Sequence, residues 1–85
     1  MTRMQRYMEE LKSTLMKYDV GEFRKFVLEN KNLFGDFFVK VFCLSSDDTI
    51  EATMHKLIFS ILTFPEEVRQ KSEKWLLERG YNTHI

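Results

Sequence analysis

The chain has few of the cysteine and histidine residues that stabilise small domains through disulfides or bound zinc. It contains a single cysteine among 85 residues, so no internal disulfide can form, and its two histidines do not make a Cys/His cluster for structural zinc. One proline and three glycines supply little material for turns, so the loops are expected to be short. Stability must therefore come from the packing of regular elements, with self-association as a further source.

Neither sign of charge dominates, and no long apolar run is present. Thirteen basic residues balance thirteen acidic ones, so no global field attracts nucleic acid or an anionic membrane. The longest apolar candidate, 57–64, is far shorter than the roughly 18 residues that a membrane span needs. No apolar segment typical of a signal peptide follows the first arginines. We therefore expect a cytoplasmic protein without a membrane span, which agrees with the lone cysteine.

Apolar residues at the start of the chain recur at spacings of three and four, the period of an amphipathic helix. This first stripe consists of Met1, Met4, Met8, Leu11, Leu15 and Tyr18. Asp19 with Glu22 three residues later has the spacing of a capping box and predicts the start of a second helix. The apolar face of that helix is formed by Phe23, Phe26 and Val27.

Residues 33–44, LFGDFFVKVFCL, form the densest apolar run, and their composition fits either a strand or a helix. Apolar pairs recur every four residues, whereas a half-buried strand would alternate apolar and polar side chains. A fully buried strand would not contain Asp36 and Lys40. The run is therefore predicted to be a helix, which Gly35 near its start weakens by roughly 1 kcal/mol relative to alanine.

Two further helix starts follow. Residues 45–49, SSDDT, can all cap a helix, and the two acids suit its N-terminal end. The apolar face behind them consists of Ile50, Met54, Leu57, Ile58, Ile61 and Leu62. Thr63 and Pro65 predict the start of a last helix, because proline suits a first turn and threonine three residues before glutamate has capping-box spacing. Gly80 is suited to end that helix, with Tyr81 folding back.

These elements predict an all-α protein, a single compact domain of about five short helices over residues 1–81 with a frayed tail at 82–85. No strand and no internal repeat is expected. The predicted core consists of Phe34, Phe37, Phe38, Val41, Phe42, Ile58, Ile61, Leu62, Trp75 and Leu76.

Few residues offer catalytic or metal-binding chemistry. Asp48, Glu51 and His55 are spaced to share one helix face as metal ligands, but one histidine beside acids is not a specific pattern. We interpret them as a solvated acidic face with a helix-supporting Glu–His pair. Cys43 lacks an obvious activating base and is expected to be a small buried hydrophobic residue. With no glycine-rich phosphate loop either, no enzymatic activity, metal or cofactor is predicted.

Residues 63–83, TFPEEVRQKSEKWLLERGYNT, resemble the first helix of ribbon-helix-helix repressors, in which a strand leads into a Pro-Glu-Glu helix ending in Gly-Tyr-Ser or Gly-Tyr-Asn. The resemblance covers about a quarter of the chain and implies DNA binding. That family also has an alternating strand before the proline and a second helix after the turn. Residues 55–63 are instead predicted to be helical, and glutamates between the basic residues of the last helix oppose phosphate approach.

Protein binding is the function that the remaining pattern favours. The first helix presents a coiled-coil-like seam without complementary flanking charges, so we expect it to pack inside a bundle, its own or a dimer's. Other apolar residues fall off the main helix faces and would form an interface where they cluster. The candidate interface consists of Met4, Tyr7, Met8, Leu11, Met16, Leu28, Val39 and Leu77.

The sequence therefore predicts a small cytoplasmic helical protein that binds another protein as an adaptor, inhibitor or regulator and that self-associates. A helical DNA-binding transcriptional regulator is the alternative. In size and style only, the chain is similar to small helical accessory proteins of bacteriophages, such as anti-sigma or lysis-inhibition factors.

Overall fold

The structure, a computed structural model, describes residues 2–84. Within that range it contains helices and no strand. The helices are α1 (Arg3–Leu15), α2 (Val20–Glu29), α3 (Lys31–Phe34), α4 (Asp36–Cys43), α5 (Asp47–Ser60) and α6 (Glu66–Glu78). The all-α prediction is confirmed, and the described residues form one helix more than expected because the apolar run 33–44 is divided in two.

The residue contacts divide the chain into two compact units, one that ends at Ile50 and one that begins at Glu51. The first unit holds α1 to α4 and the first turn of α5, and the second holds the rest of α5 and α6. A single domain over residues 1–81 stays a prediction, because a division by contacts does not say whether the units fold separately.

Side-chain caps fix the starts of α1 and α2. At α1 the Gln5 backbone N–H donates to Thr2 Oγ1 at 3.2 Å, and the Thr2 N–H donates to Gln5 Oε1 at 2.8 Å. At α2 the Glu22 N–H donates to Asp19 Oδ1 at 3.0 Å, as the sequence spacing predicts. These bonds satisfy backbone groups that have no partner inside the helix.

The apolar stripe predicted along α1 is buried in its middle part and exposed at both described ends. Leu11 and Leu15 are buried, whereas Met4 and Tyr18 are exposed. The first member of the stripe, Met1, lies outside the described residues. The exposed ends leave apolar surface on the first unit instead of adding to its core.

Aromatic rings from α2, α3 and α4 line the core of the first unit. Phe34, Phe38 and Phe42 stack in a row, with ring centroids 5.4 and 5.8 Å apart. From α2, Phe23 meets Phe42 edge-on at 5.6 Å, and Phe26 meets Phe34 edge-on at 6.1 Å. Each such pair contributes about 0.5–1.5 kcal/mol beyond the area that it buries. The row therefore holds α3 and α4 against α2.

Gly35 separates α3 from α4. Its backbone has φ 82° and ψ 155°, a conformation open to glycine and strained for other residues. Its N–H donates to the Lys31 carbonyl at 3.0 Å, and its own carbonyl accepts from the Val39 N–H at 3.1 Å. One helix thus ends and the next begins at this residue, so the run 33–44 is helical as predicted but broken.

The predicted core is correct only in part. Three of its members are buried: Phe42, Ile58 and Leu76. Four are half-buried: Phe34, Phe38, Ile61 and Trp75. Three are exposed, and their placement in the core was wrong: Phe37, Val41 and Leu62. Helix α4 is apolar on more than one face, so burying one face leaves another in solvent, and Leu62 lies beyond the end of α5.

In the second unit, Arg69 of α6 is bonded to the end of α5. Its Nε donates to the Phe59 carbonyl at 2.9 Å, and its guanidinium lies 5.3 Å from the centre of the Phe59 ring. Helix α6 begins with Pro65 at its N-cap position, and no side chain of the described residues caps it. The capping box predicted from Thr63 was therefore wrong.

Helix α6 ends as the sequence predicts. Gly80 has φ 78°, and its N–H donates to the Leu77 carbonyl at 3.2 Å. The Tyr81 N–H donates to the Leu76 carbonyl at 3.0 Å, which completes a Schellman motif. Tyr81 folds back so that its ring stacks on Trp75 with centroids 6.1 Å apart.

Residues 82–84 follow α6 without forming a further helix. Ile85, the last residue of the predicted tail, lies outside the described residues. Of the helices that the structure describes, none has both the length and the apolar character required to cross a bilayer.

Candidate functional site

Helix α4 presents a row of large apolar side chains to solvent. Phe37 is 81% exposed, Val41 48% and Leu44 83%, and no large hydrophobic residue described in the structure is more exposed than Phe37 and Leu44. Phe37 and Val41 lie in α4, and Leu44 is the C-cap residue that follows it with helical backbone angles, so the i, i+4, i+7 spacing places all three on one side. We call Phe37, Val41 and Leu44 the α4 stripe.

The opposite face of α4 fixes this orientation. Val39 and Phe42 are buried there, and the Phe42 ring is held by edge-on contact with Phe23 and by stacking on Phe38. Rotating the helix to bury the stripe would bring Val39 and Phe42 into solvent and separate these rings. The exposure of the stripe is thus a consequence of how the core of the first unit is packed.

Polar residues run along one edge of the stripe. Asp36, Lys40 and Cys43 follow each other at helical spacings of four and three, and all three are exposed. The expectation that Cys43 is buried was wrong, since α4 turns that side of its last turn toward solvent. An acid four residues before a base is the favourable order for a pair on a helix surface.

A salt bridge anchors the segment that follows the stripe. Arg24 of α2 donates to Asp47 Oδ1 at 2.6 Å, at the first residue of α5. At the same helix start, the Thr49 N–H donates to Ser46 Oγ at 3.3 Å, as the capping signal at 45–49 predicts. The turn after Leu44 is therefore bonded at the end where α5 begins.

The structure scatters the predicted interface residues. Four are exposed: Met4, Met16, Leu28 and Leu77. Two are half-buried: Tyr7 and Met8. Two are buried: Leu11 and Val39. Leu77 belongs to the second unit and the others to the first. The expectation that Val39 lies off the buried face was wrong, and whether the exposed members contact a partner stays a prediction.

A groove of about 480 Å³ lies along α1. Its described lining consists of Thr2, Met4, Gln5, Met8, Glu9 and Lys12. Met4 and Met8, both in the predicted interface, supply its apolar part, while Glu9 and Lys12 bring one charge of each sign. Because all described lining residues belong to α1 or its cap, the groove encloses a ligand less than a typical binding pocket does.

The α4 stripe lies outside the interface predicted from the sequence, although the sequence contains a signal for it. Nine of the twelve residues in 33–44 are apolar, whereas a helix buried on one side needs only three or four in every seven. That excess implies a second apolar face. The apolar pairs do not reveal which face is buried, and the prediction that puts Phe37 and Val41 inside and Val39 outside is wrong.

A polar cluster in the second unit is centred on His55. The buried His55 ring has its Nδ1 3.0 Å from Ser72 Oγ and stacks on Trp75 with centroids 4.3 Å apart. Its Nε2 lies 4.0 Å from Glu51 Oε1. The Arg79 guanidinium covers Trp75 at 4.1 Å from the ring centre.

The surroundings of His55 favour its neutral form. Burial lowers the pKa of His55 below its usual 6.5, and the charge of Arg79 lowers it further. At pH 7 the contact with Glu51 is therefore not an ion pair. The interpretation of this residue as part of a solvated face was wrong, because His55 is enclosed between α5 and α6 residues of its unit.

Ser72, His55 and Glu51 are the residue types of a hydrolytic triad, but they lack its working geometry. Ser72 is only 1% exposed, so a substrate cannot reach its hydroxyl. The 4.0 Å between His55 and Glu51 exceeds a hydrogen bond. Among the described residues no three potential metal ligands come together, Asp48 included. The cluster therefore links two helices of the second unit.

Several basic side chains of α6 and its C-cap make contacts within their own unit. Arg69 is bonded to Phe59, Arg79 donates to the Trp75 carbonyl at 3.3 Å, and Lys74 lies 3.8 Å from Glu78. Arginines held in this way are less available to reach phosphates or base edges.

No family model matches the chain, and no curated protein or solved structure matches it. The two most exposed large hydrophobic residues that the structure describes, Phe37 and Leu44, both belong to the α4 stripe.

Proposed function

We propose that the protein acts by binding another protein through the α4 stripe, as an adaptor, inhibitor or regulator. The observation that carries the proposal is that Phe37 in α4 and Leu44 at its C-cap are each more than four-fifths exposed on the same side. Single exposed apolar residues are common, but a contiguous row is typical of an interaction surface. Full burial of such a side chain is worth about 1.5–3 kcal/mol.

The stripe suits a helical or grooved partner. Three anchors at i, i+4 and i+7 are the spacing with which a helix places one face into an apolar groove or against another helix. Asp36 and Lys40 at one edge add a charge of each sign, which orients a partner more than it strengthens binding. The stripe supplies the apolar centre of such an interface, and the edge supplies its polar rim.

The same proposal places the protein in the cytoplasm, where an exposed thiol such as Cys43 stays reduced. DNA binding remains the alternative function. It has less support, since Arg69 and Arg79 of the helix that resembles a repressor helix are engaged with Phe59 and Trp75.

The proposal is tested by comparing partner binding by the wild type, by a double variant of the α4 stripe and by a matched double variant elsewhere. In the first variant, Phe37→Ser with Leu44→Ser removes the ends of the stripe. In the control, Leu62→Ser with Leu77→Ser removes side chains that are 78% and 59% exposed in the second unit. Immobilised wild-type chain and both variants are exposed to extract of the native host. The captured protein is then purified and titrated against each by calorimetry.

We expect the wild type and the control to bind the purified partner alike, with a negative heat-capacity change from apolar burial. The α4 variant should bind at least about tenfold more weakly, equivalent to about 1.4 kcal/mol. Equal affinity of all three proteins, or an equal loss in both variants, would refute the α4 stripe as the binding surface.

A further inference from the structure

We propose that His55 acts as a proton-sensitive switch on the packing of α6 against α5, so that acidification loosens α6 while the first unit keeps its structure. The inference concerns the second unit alone and does not depend on the α4 stripe. It rests on a buried histidine that links two helices, and on the position of both histidines of the chain beyond residue 50.

Two residues of α5 carry described side-chain links to α6. His55 has its Nδ1 3.0 Å from Ser72 Oγ, and its ring stacks on Trp75 with centroids 4.3 Å apart. Phe59, one helical turn later, accepts a hydrogen bond from Arg69 Nε at its carbonyl and contacts the guanidinium with its ring. A change in the cost of keeping His55 between the helices therefore changes how firmly α6 is held.

A proton on His55 is costly where the ring lies. His55 is 7% exposed, and Ser72 beside it is 1% exposed. An imidazolium in this place loses most of the hydration that it has in the unfolded chain. The serine hydroxyl does not select the neutral ring, because it can donate to a bare Nδ1 or accept from a protonated one. Burial is therefore the main reason that the neutral form is favoured.

Two charged groups beside the ring act in opposite directions. Glu51 on α5 has its Oε1 4.0 Å from Nε2 of His55 and favours the protonated ring. Arg79, at the C-cap of α6, has its guanidinium 4.1 Å from the centre of the Trp75 ring and disfavours it. Tyr81 completes the stack on Trp75. Burial first and Arg79 second lower the pKa of His55 below its usual 6.5.

Mild acid acts selectively on the second unit. Histidine is the residue whose ordinary pKa lies between pH 5 and pH 8, and the chain up to Ile50 contains none. His84, the other histidine, is exposed, so its protonation has little influence on packing. Between pH 7 and pH 5 the proton that is coupled to folding is therefore the one on His55.

Loosening α6 exposes apolar surface that is hidden at neutral pH. Leu76 is fully buried and lies on the same side of α6 as Ser72, four residues before it. Trp75, beside it, is half-buried under Arg79 and Tyr81. A buried histidine that controls access to such a face is the usual form of a pH-operated switch in proteins.

Hydrogen exchange of the full chain between pH 7 and pH 5, resolved by mass spectrometry into peptides from α2 and α6, tests the inference. After correction for the intrinsic effect of pH on exchange, the opening of α6 should increase as pH falls below 6.5, where the open form binds the proton more readily. The increase should not exceed about tenfold per pH unit, because one proton is bound. The α2 peptides should show no such increase.

His55→Gln should abolish the pH dependence of α6, while His84→Gln, the matched control, should retain it. An equal increase in α2 and α6, the absence of any increase in the wild type, or an increase that survives in His55→Gln would overturn the switch.

Two charge variants decide the question if His55→Gln loses its helical circular dichroism. Arg79→Gln removes the charge that opposes the proton, so its α6 should open less on acidification than that of the wild type. Glu51→Gln removes the charge that favours the proton, so its α6 should open more. Loss of a merely structural contact would change the opening equally at every pH. The same pH dependence in both variants would contradict the proposal.

Discussion

His55 is held in its neutral form by the residues packed around it. The ring is buried, stacked on Trp75 and hydrogen-bonded to Ser72, and Arg79 contributes positive charge nearby. Adding a proton would place a second positive charge in a partly dehydrated site, where Glu51 at 4.0 Å offsets only part of the cost. Folding therefore lowers the pKa of this residue.

Stability of the second unit should consequently fall on acidification. Above pH 6.5 His55 is neutral in both the folded and the unfolded chain, so its contribution is fully present. As pH falls from 6.5 toward the lower pKa of the folded state, the unfolded chain binds the proton more readily and stability is lost. Thermal melts across this range should show a decline in Tm that His55→Gln reduces.

A matched control separates this effect from general acid sensitivity. His84→Gln removes the other histidine, whose side chain is exposed, and should leave the decline unchanged. Imidazole signals followed by NMR should place the His55 titration below 6.5. A decline that is the same in wild type and His55→Gln would mean that His55 is not its source.

At the scale of single residues, the sequence predicted the structure correctly where a feature depends only on residues nearby in the chain. Asp19 caps α2, and Gly80 with Tyr81 ends α6, because each requires only groups within a few residues. Thr63 failed because Pro65 takes the N-cap position, two residues later. His55 could not be placed correctly, since Ser72, which encloses it, is 17 positions away.

At the scale of elements, α4 has one buried and one exposed apolar face. Phe42 belongs to the aromatic row of the core, whereas Phe37, five positions earlier on the same helix, is in solvent. The two residues have identical chemistry and similar helical context. They therefore provide a direct comparison of the two faces.

Phe42→Ala should destabilise the fold far more than Phe37→Ala. Removing a buried phenylalanine costs about 3–5 kcal/mol, comparable to the whole stability of so small a chain, so we expect Phe42→Ala to be largely unfolded. Phe37→Ala should change the free energy of unfolding by less than about 0.5 kcal/mol. Urea titrations followed by circular dichroism measure both. Similar losses in the two variants would show that the faces are assigned wrongly.

The sequence predicted that 33–44 is helical, because its four-residue period is a local property. It did not reveal which face of α4 is buried, because that depends on contacts with α2. Phe23, which meets Phe42 edge-on, lies 19 positions before it, and no periodicity within α4 encodes that partner. Gly35 was predicted only to weaken the helix, not to break it. Glycine occurs both within helices and in the positive-φ conformation that interrupts them, so the residue type alone does not distinguish the two.

At the scale of the whole molecule, a chain with no net charge carries an exposed apolar row. Charge balance near pH 6.7 leaves little repulsion to keep copies apart. The fold class followed from composition and periodicity, since sparse turn residues and repeated three-and-four spacings leave few alternatives to helices. The position of the binding surface could not be predicted in this way. The surplus of apolar residues indicates that some apolar face is exposed, but it does not indicate which one.

Solubility should therefore be lowest near pH 6.7 and should depend on the α4 stripe. Phe37→Ser with Leu44→Ser leaves the net charge unchanged and should raise solubility at that pH severalfold. Leu62→Ser with Leu77→Ser removes two separate residues of the second unit and should raise it less. Precipitation by polyethylene glycol across pH measures the effect, and equal gains in both variants would contradict a special role for α4.

The only tryptophan, Trp75, stacks on His55 and Tyr81 in the second unit, while the only cysteine, Cys43, lies in the first. The native chain thus has one fluorescent indole in the second unit and one site for attaching a dye in the first. Intrinsic indole emission reports on one half and a thiol-attached dye on the other. A single melting experiment read at both wavelengths would reveal whether the halves lose their structure together or in succession, with no residue replaced.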